Sequence, residues 1–298
     1  MTQPLSGRFV LRAAAVLTGA LTLASHQPLR AETTSNAPTT NVVLEAQAKP
    51  VWQTVTGHSI RYLLSLPKGW SANRKWPVIV VITGSNSNFP IIGQGYHDRR
   101  GDGPFILVTP TTISSGSKII AERYPHLSTN ELARLATATV PEKLAYDMAG
   151  LERIVAEIGE KFGGEAKIYL SGFSMGGTLA WHMALLHSDR LNMVFPVCAV
   201  YDEAAGALIP DGHRAANPVL PIQAFQGDKD KSLEMFNKHW ERASALAKKV
   251  GFQNVTRTVT GRGHSWYYEE ILQICNEHHA RRQGASAPAT AVQPEPRP

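Results

Sequence analysis

The stretch Lys167-Ile-Tyr-Leu-Ser-Gly-Phe-Ser-Met-Gly-Gly177 decides the architecture. Lys167–Leu170 is an apolar, strand-forming run, Met175–His187 has helical character, and between them lies Gly172-Phe173-Ser174-Met175-Gly176. A G-x-S-x-G pattern between a strand and a helix is a sharp turn that lifts its central residue out of the backbone path. Neighbours two positions away must then be small, which Gly172 and Gly176 satisfy. The turn exposes the Ser174 hydroxyl and aims the positive end of the next helix at it.

Outward from this turn, strand-like runs alternate with helical ones. Val51–Thr56 and Ser59–Leu66 flank Gly57-His58 as an opening hairpin. Val78-Ile-Val-Val-Ile82 is continuously apolar and β-branched, the pattern of a strand covered on both faces. Phe105–Thr109, Val194–Val200 and Ile222–Phe225 continue the series, and Val255–Val259 alternates. From Pro141 to Phe162, Leu144, Met148, Leu151, Ile154, Val155 and Ile158 recur at helical spacing, ending at Gly163-Gly164. Leu233–Val250 and Trp266–His279 read as further helices. The expected fold class is α/β: a mainly parallel sheet with an N-terminal antiparallel hairpin and helices on both faces. Ligands of such sheets bind beyond the carboxyl ends of the strands.

A serine hydroxyl is a weak nucleophile near neutral pH and needs a base, itself oriented by an acid. Both are sought at strand ends after Ser174. Ile222–Phe225 runs into Gln226-Gly-Asp-Lys-Asp230, offering Asp228 and Asp230, and Val255–Val259 runs into Thr260-Gly-Arg-Gly-His-Ser-Trp266, offering His264. Of the eleven histidines, His182, His187 and His239 fall within helices and His278 and His279 at a polar helix end. Only His264 unites a strand end, flanking flexibility and the order serine, acid, histidine.

These residues resemble the α/β-hydrolase superfamily, and within it secreted esterases similar to polyhydroxybutyrate depolymerases, feruloyl esterases and prolyl-oligopeptidase-like hydrolases. The resemblance rests on Arg61–Trp70, Trp76–Ile82, Gly172–Gly177, Gly227-Asp-Lys-Asp230 and Gly263-His264-Ser-Trp266. It implies a Ser174, Asp230, His264 triad, because the acid of such enzymes closes a Gly-x-x-Asp tetrad. Asp228 is the fallback acid. It also implies an oxyanion hole from the Met175 backbone N–H and a donor in the loop after the first long strand. That loop departs from the usual His-Gly and reads Thr83-Gly-Ser-Asn86, so Ser85 is the first candidate and Asn86 the second.

The activity this implies is cleavage of carboxylic esters through an acyl-enzyme, with no metal or organic cofactor, on a small-molecule or polymeric ester. A peptidase or acyltransferase using the same triad, and a non-catalytic binding protein on the same fold, are the alternatives. Three segments are candidate walls of the substrate site: Asn88–Tyr96, the insertion Ser114–Thr139 and Tyr201–Asn217. Each also reads as a plain surface connection.

The ends of the chain have another character. Residues 1–31 combine Arg8 and Arg12 with an apolar run from Phe9 to Leu23, the form of an export signal cleaved after Ala31 or Ala24. The run spans about 15 residues, against about 20 for a membrane-spanning helix. A periplasmic or secreted protein with no stable membrane insertion after signal removal is therefore expected. Residues 32–49 and 283–298 read as flexible tails around a catalytic domain at 50–282. Thirty Lys and Arg against 24 Asp and Glu give +6; without Arg8, Arg12 and Arg30 the balance is 27 against 24, or +3. The remaining charges are scattered, which speaks against a nucleic-acid partner. Cys198 and Cys275 fit either one disulfide or two buried thiols. Oligomeric state is not legible.

Overall fold

The computed structural model describes residues 49–286; the expected signal at 1–31 lies outside them. Eight strands form one sheet: β1 Val51–Thr54, β2 Arg61–Ser65, β3 Trp76–Ile82, β4 Ile106–Pro110, β5 Gly164–Phe173, β6 Leu191–Val197, β7 Ile222–Gly227 and β8 Val255–Thr260. Their order across the sheet is β1-β2-β4-β3-β5-β6-β7-β8. The β1–β2 and β2–β4 pairs are antiparallel and all others parallel. This is the α/β-hydrolase fold anticipated from the sequence, hairpin included.

The helices are α1 Phe89–Arg100, α2 Thr129–Thr137, α3 Val140–Phe162, α4 Gly177–Leu186, the single turn α5 Glu203–Gly206, α6 Leu233–Lys249 and α7 Tyr268–Ser286. The alternation of β3 side chains divides the core into two layers. Val78, Val80 and Ile82 pack in one cluster with Leu144 and Leu151 of α3, Leu179 of α4 and Ala243 of α6. Ile79 and Val81 pack in the other with Ile92 and Tyr96 of α1 and with Ile271 and Cys275 of α7. Cys198 and Cys275 are buried free thiols, resolving that pair of readings.

Four elements differ from expectation. The helix after the turn begins with a tight 3-10 turn at Ser174–Gly176 before α4 takes over. Asn88–Tyr96 is the first part of α1, capped by the Asn88 side chain on the Ile91 N–H and followed by Pro90. Ser114–Thr139 contains α2, opened by a capping box between Ser128 and Glu131. Helix α7 also runs to Ser286, past the Arg282 boundary.

Candidate active site

Register brings five strand ends to one edge of the sheet. Ile82 of β3 pairs with Gly172 of β5, Phe173 of β5 with Val197 of β6, Val197 with Phe225 of β7, and Gly227 of β7 with Thr260 of β8. The residues that follow are Thr83–Asn86, Ser174, Cys198, Asp228–Asp230 and Gly261–His264.

Ser174 has φ 52, a left-handed conformation that costs a non-glycine residue about 1–2 kcal/mol and persists only where its surroundings enforce it. The surroundings are tight. A Cβ on Gly172 would lie 2.6 Å from both Ala180 Cβ and the Gly176 carbonyl oxygen, and one on Gly176 would lie 2.5 Å from the Thr83 carbonyl oxygen. The Ser174 carbonyl accepts the Val200 N–H at 2.9 Å, tying the turn to the segment after β6.

His264 Nδ1 donates to Asp230 Oδ2 at 2.7 Å. The carboxylate is buried and held in place by the Ser232 N–H on Oδ1 at 2.9 Å and the Gln226 amide on Oδ2 at 3.3 Å. Asp228 is exposed, and its backbone N–H donates to the Thr260 carbonyl. The acid and histidine loops are joined further by Lys229 N–H on the Arg262 carbonyl. They approach so closely at Gly227 that a Cβ there would run into the Arg262 and Gly263 carbonyls. The imidazole lies between Phe236, stacked at 5.1 Å, and Phe173 at 4.7 Å. Phe173 in turn stacks on Trp266. Among the described residues Ser174 Oγ makes no hydrogen bond, to His264 or to any other group. Behind the pair, Cys198 Sγ, an Asp230 oxygen and a His264 nitrogen lie within 4.8 Å of one another. Three such donors suit a soft metal ion in principle. Here the carboxylate and imidazole are engaged with each other, and burial pushes the Cys198 thiol up from its ordinary pKa.

The other candidate donors lie across from this pair. Gly84 packs on Ser174, where an added Cβ would sit 2.9 Å from Ser174 Cβ. Ser85 Oγ donates to the Ser115 carbonyl at 2.9 Å, while its backbone N–H has no acceptor among the described residues. The Asn86 N–H is already engaged by Ser117 Oγ at 3.0 Å. Ser85 is thus the better placed of the two for a free N–H. Met175 is the second residue of the 3-10 turn, where the first N–H groups have no internal acceptor.

Sequence reading missed Asp147. This buried acid of α3 accepts the Ile113 N–H at 2.9 Å and the Ser114 N–H at 2.8 Å. Burial pushes its carboxyl up to about 6, against the pull of those hydrogen bonds. It anchors the segment after β4 whose Ser115 carbonyl holds Ser85. The only sequence signal is an acid beside Leu144, Met148 and Leu151 on the apolar face. Of the other histidines, His239 meets the Tyr201 carbonyl and His278 the Tyr169 hydroxyl, while burial lowers His182 to about 4. Of the proposed walls, Tyr201–Asn217 contains the single turn α5, which packs against α3 and α4.

Comparison with known proteins follows the same line. The Esterase family model matches residues 53–279. No curated protein matches. Solved structures of similar fold include a ferulic acid esterase, 17% identical over 77% of this chain and 98% of that one, TM-score 0.51. Esterase 2 of Thermogutta terrifontis, phosphorylated by paraoxon, is 16% identical over 81% and 97%, TM-score 0.52. Poly(aspartic acid) hydrolase-1 of Sphingomonas sp. KT-1 is 14% identical over 77% and 97%, TM-score 0.53.

Proposed function

The chain belongs to the Esterase family and is an ester-cleaving, carboxylesterase-like hydrolase; on that premise we propose that Ser174, His264 and Asp230 act as its catalytic triad through an acyl-enzyme. The observation that carries this reading is the 2.7 Å His264–Asp230 bond, on the same edge of the sheet as a serine held at positive φ. With its Nδ1 proton on Asp230, His264 has Nε2 free to accept the Ser174 proton as Oγ attacks the ester carbonyl. The oxyanion receives N–H groups from Met175 and Ser85. His264 then passes its proton to the departing alcohol. Water attacks the acyl-enzyme with the same histidine as base, and the acid is released as Ser174 recovers its proton.

Export is part of the same proposal, resting on the Arg8, Arg12 and apolar pattern of residues 1–31. No helix among the described residues is long and apolar enough to cross a membrane. Amino-terminal sequencing of protein recovered from the periplasm or medium checks it, with a new terminus at Glu32 or Ser25 expected.

Hydrolysis of p-nitrophenyl esters from acetate to octanoate, beside the Ser174→Ala variant, tests the enzymatic reading. Turnover and fluorophosphonate labelling are both expected to vanish in the variant. Turnover that survives the substitution, or a folded wild type that is neither active nor labelled, sinks the proposed triad.

A further inference from the structure

Beside the oxyanion loop lies a cavity of about 480 Å³ that the reaction scheme leaves unused. It adjoins the nucleophile. Gly84 touches Ser174, and Asn86, two residues on, lines the cavity, a Cα span of at most about 7 Å. On the other wall Gly116 packs on Met175 Cγ and Ser85 Oγ, and Lys118, again two residues on, lines it.

Its charge is one-sided. Arg61, Lys118 and Arg123 face the cavity against the single acid Glu122, which is exposed. None of the three cations forms an ion pair among the described residues. The Arg61 guanidinium rests over the Trp52 ring at 4.9 Å, with its buried Nε unpartnered. Arg123 lies over the Phe89 ring at 4.7 Å, donates to the Ser87 carbonyl at 2.8 Å, and also has a buried unpartnered Nε. Nearby His126 bonds Thr111 Oγ1 through Nε2. Two arginines braced on aromatic rings, with the exposed Glu122 the one acid in the same lining, are an arrangement suited to an incoming carboxylate. Trp52, Phe89 and Ile120 supply apolar wall for the stem that carries it. Glu122 at the rim opposes a dianion more strongly than a monoanion.

Resting on the esterase reading above, we propose that this cavity is an anion subsite, and that the natural substrate is an ester bearing a carboxylate that Arg61 and Arg123 hold while its carbonyl lies at Ser174. Two substrate arms ask which half of the ester carries the acid. For the acyl side, the p-nitrophenyl monoesters of glutaric and adipic acid are compared with p-nitrophenyl valerate and hexanoate. For the alcohol side, 4-acetoxybenzoate is compared with 4-acetoxybenzamide. In one arm kcat/KM should favour the acidic ester by about tenfold or more, chiefly through KM, with the preference shrinking as salt is raised. In an Arg61→Gln, Arg123→Gln double variant the acidic-to-neutral ratio should fall to near one. A ratio near one in both arms of the wild type, or a preference that survives the double substitution, overturns the proposal. Should no ester be cleaved at all, the esterase reading fails separately. Calorimetric titration of Ser174→Ala protein with monomethyl glutarate, a monoanion, still decides the subsite: saturable binding lost in the double variant supports it, and no saturation up to about 10 mM overturns it.

Discussion

The two halves of the site are built by different means. On one side, Ser174 follows its strand directly, Asp230 and His264 follow theirs through short turns, and the positions derive from sheet register. On the other, Ser85 and the cavity owe their placement to long-range ties: Ser85 to Ser115 across 30 positions, and Ile113 and Ser114 to Asp147 across more than 30. The first half is specified by the sheet ladder and the turns that leave it, and the second depends further on a chain of hydrogen bonds through α3. Damage to the first should abolish chemistry while the fold stands; damage to the second should misplace groups that remain present.

The sharpest break of that comparison is in the first half. Ser174→Ala and Asp230→Asn should each lower kcat by about 10⁴-fold or more, whereas Asp228→Asn, on the exposed fallback acid, should change the barrier by no more than about 0.5 kcal/mol. Steady-state kinetics on one ester separates them, and equal losses at Asp228 and Asp230 would refute the assignment.

In the second half, Asp147→Asn should cost up to about 100-fold in kcat/KM, since a displacement near 1 Å suffices for such a loss. Its pH behaviour sharpens the point. The folded carboxyl titrates at about 6 against 3.8 for the ordinary group, so the folded protein holds this proton more tightly than the unfolded chain. The stability that group contributes is therefore full below about 4 and is lost as pH rises through 6, by up to about 3 kcal/mol. The charged form is the better acceptor for Ile113 and Ser114, so activity should rise over the same interval in which this stability falls. Thermal unfolding from pH 4 to 8 should show that slope in the wild type and lose it in the variant.

Smaller effects follow. Ser85→Ala removes one hydrogen bond but keeps the backbone donor, so kcat should fall by about fivefold. Ser174→Gly, which relieves the positive φ, should raise unfolding stability by about 1 kcal/mol while removing the nucleophile. Denaturant titration measures it.

The same division explains what was legible. The turn at Gly172–Gly176 and the loops ending in Asp230 and His264 are short motifs whose backbone demands are written in adjacent residues. Helix α1 was not legible because it carries two glycines of poor helix propensity. Their reason lies elsewhere in the fold: a Cβ on Gly93 would meet Leu63 Cδ1 at 3.0 Å, and one on Gly95 the Tyr268 ring at 3.0 Å. Asp147 stood on the predicted apolar face of α3, yet nothing near it in sequence names Ile113 or Ser114 as its partners. Arg61 and Arg123 sit 62 positions apart and meet only in the cavity.

The contact between the Gly227 and Arg262 turns has a mechanical consequence. Asp230 and His264 ride on a continuation of the β7–β8 ladder, with two backbone hydrogen bonds holding their loops together and no room for a side chain between them. They therefore form one rigid cassette, while no hydrogen bond fastens that cassette to Ser174 Oγ. What ties that cassette to the serine turn is aromatic contact instead: Phe173, the residue before Ser174, lies 4.7 Å from the imidazole and stacks on Trp266.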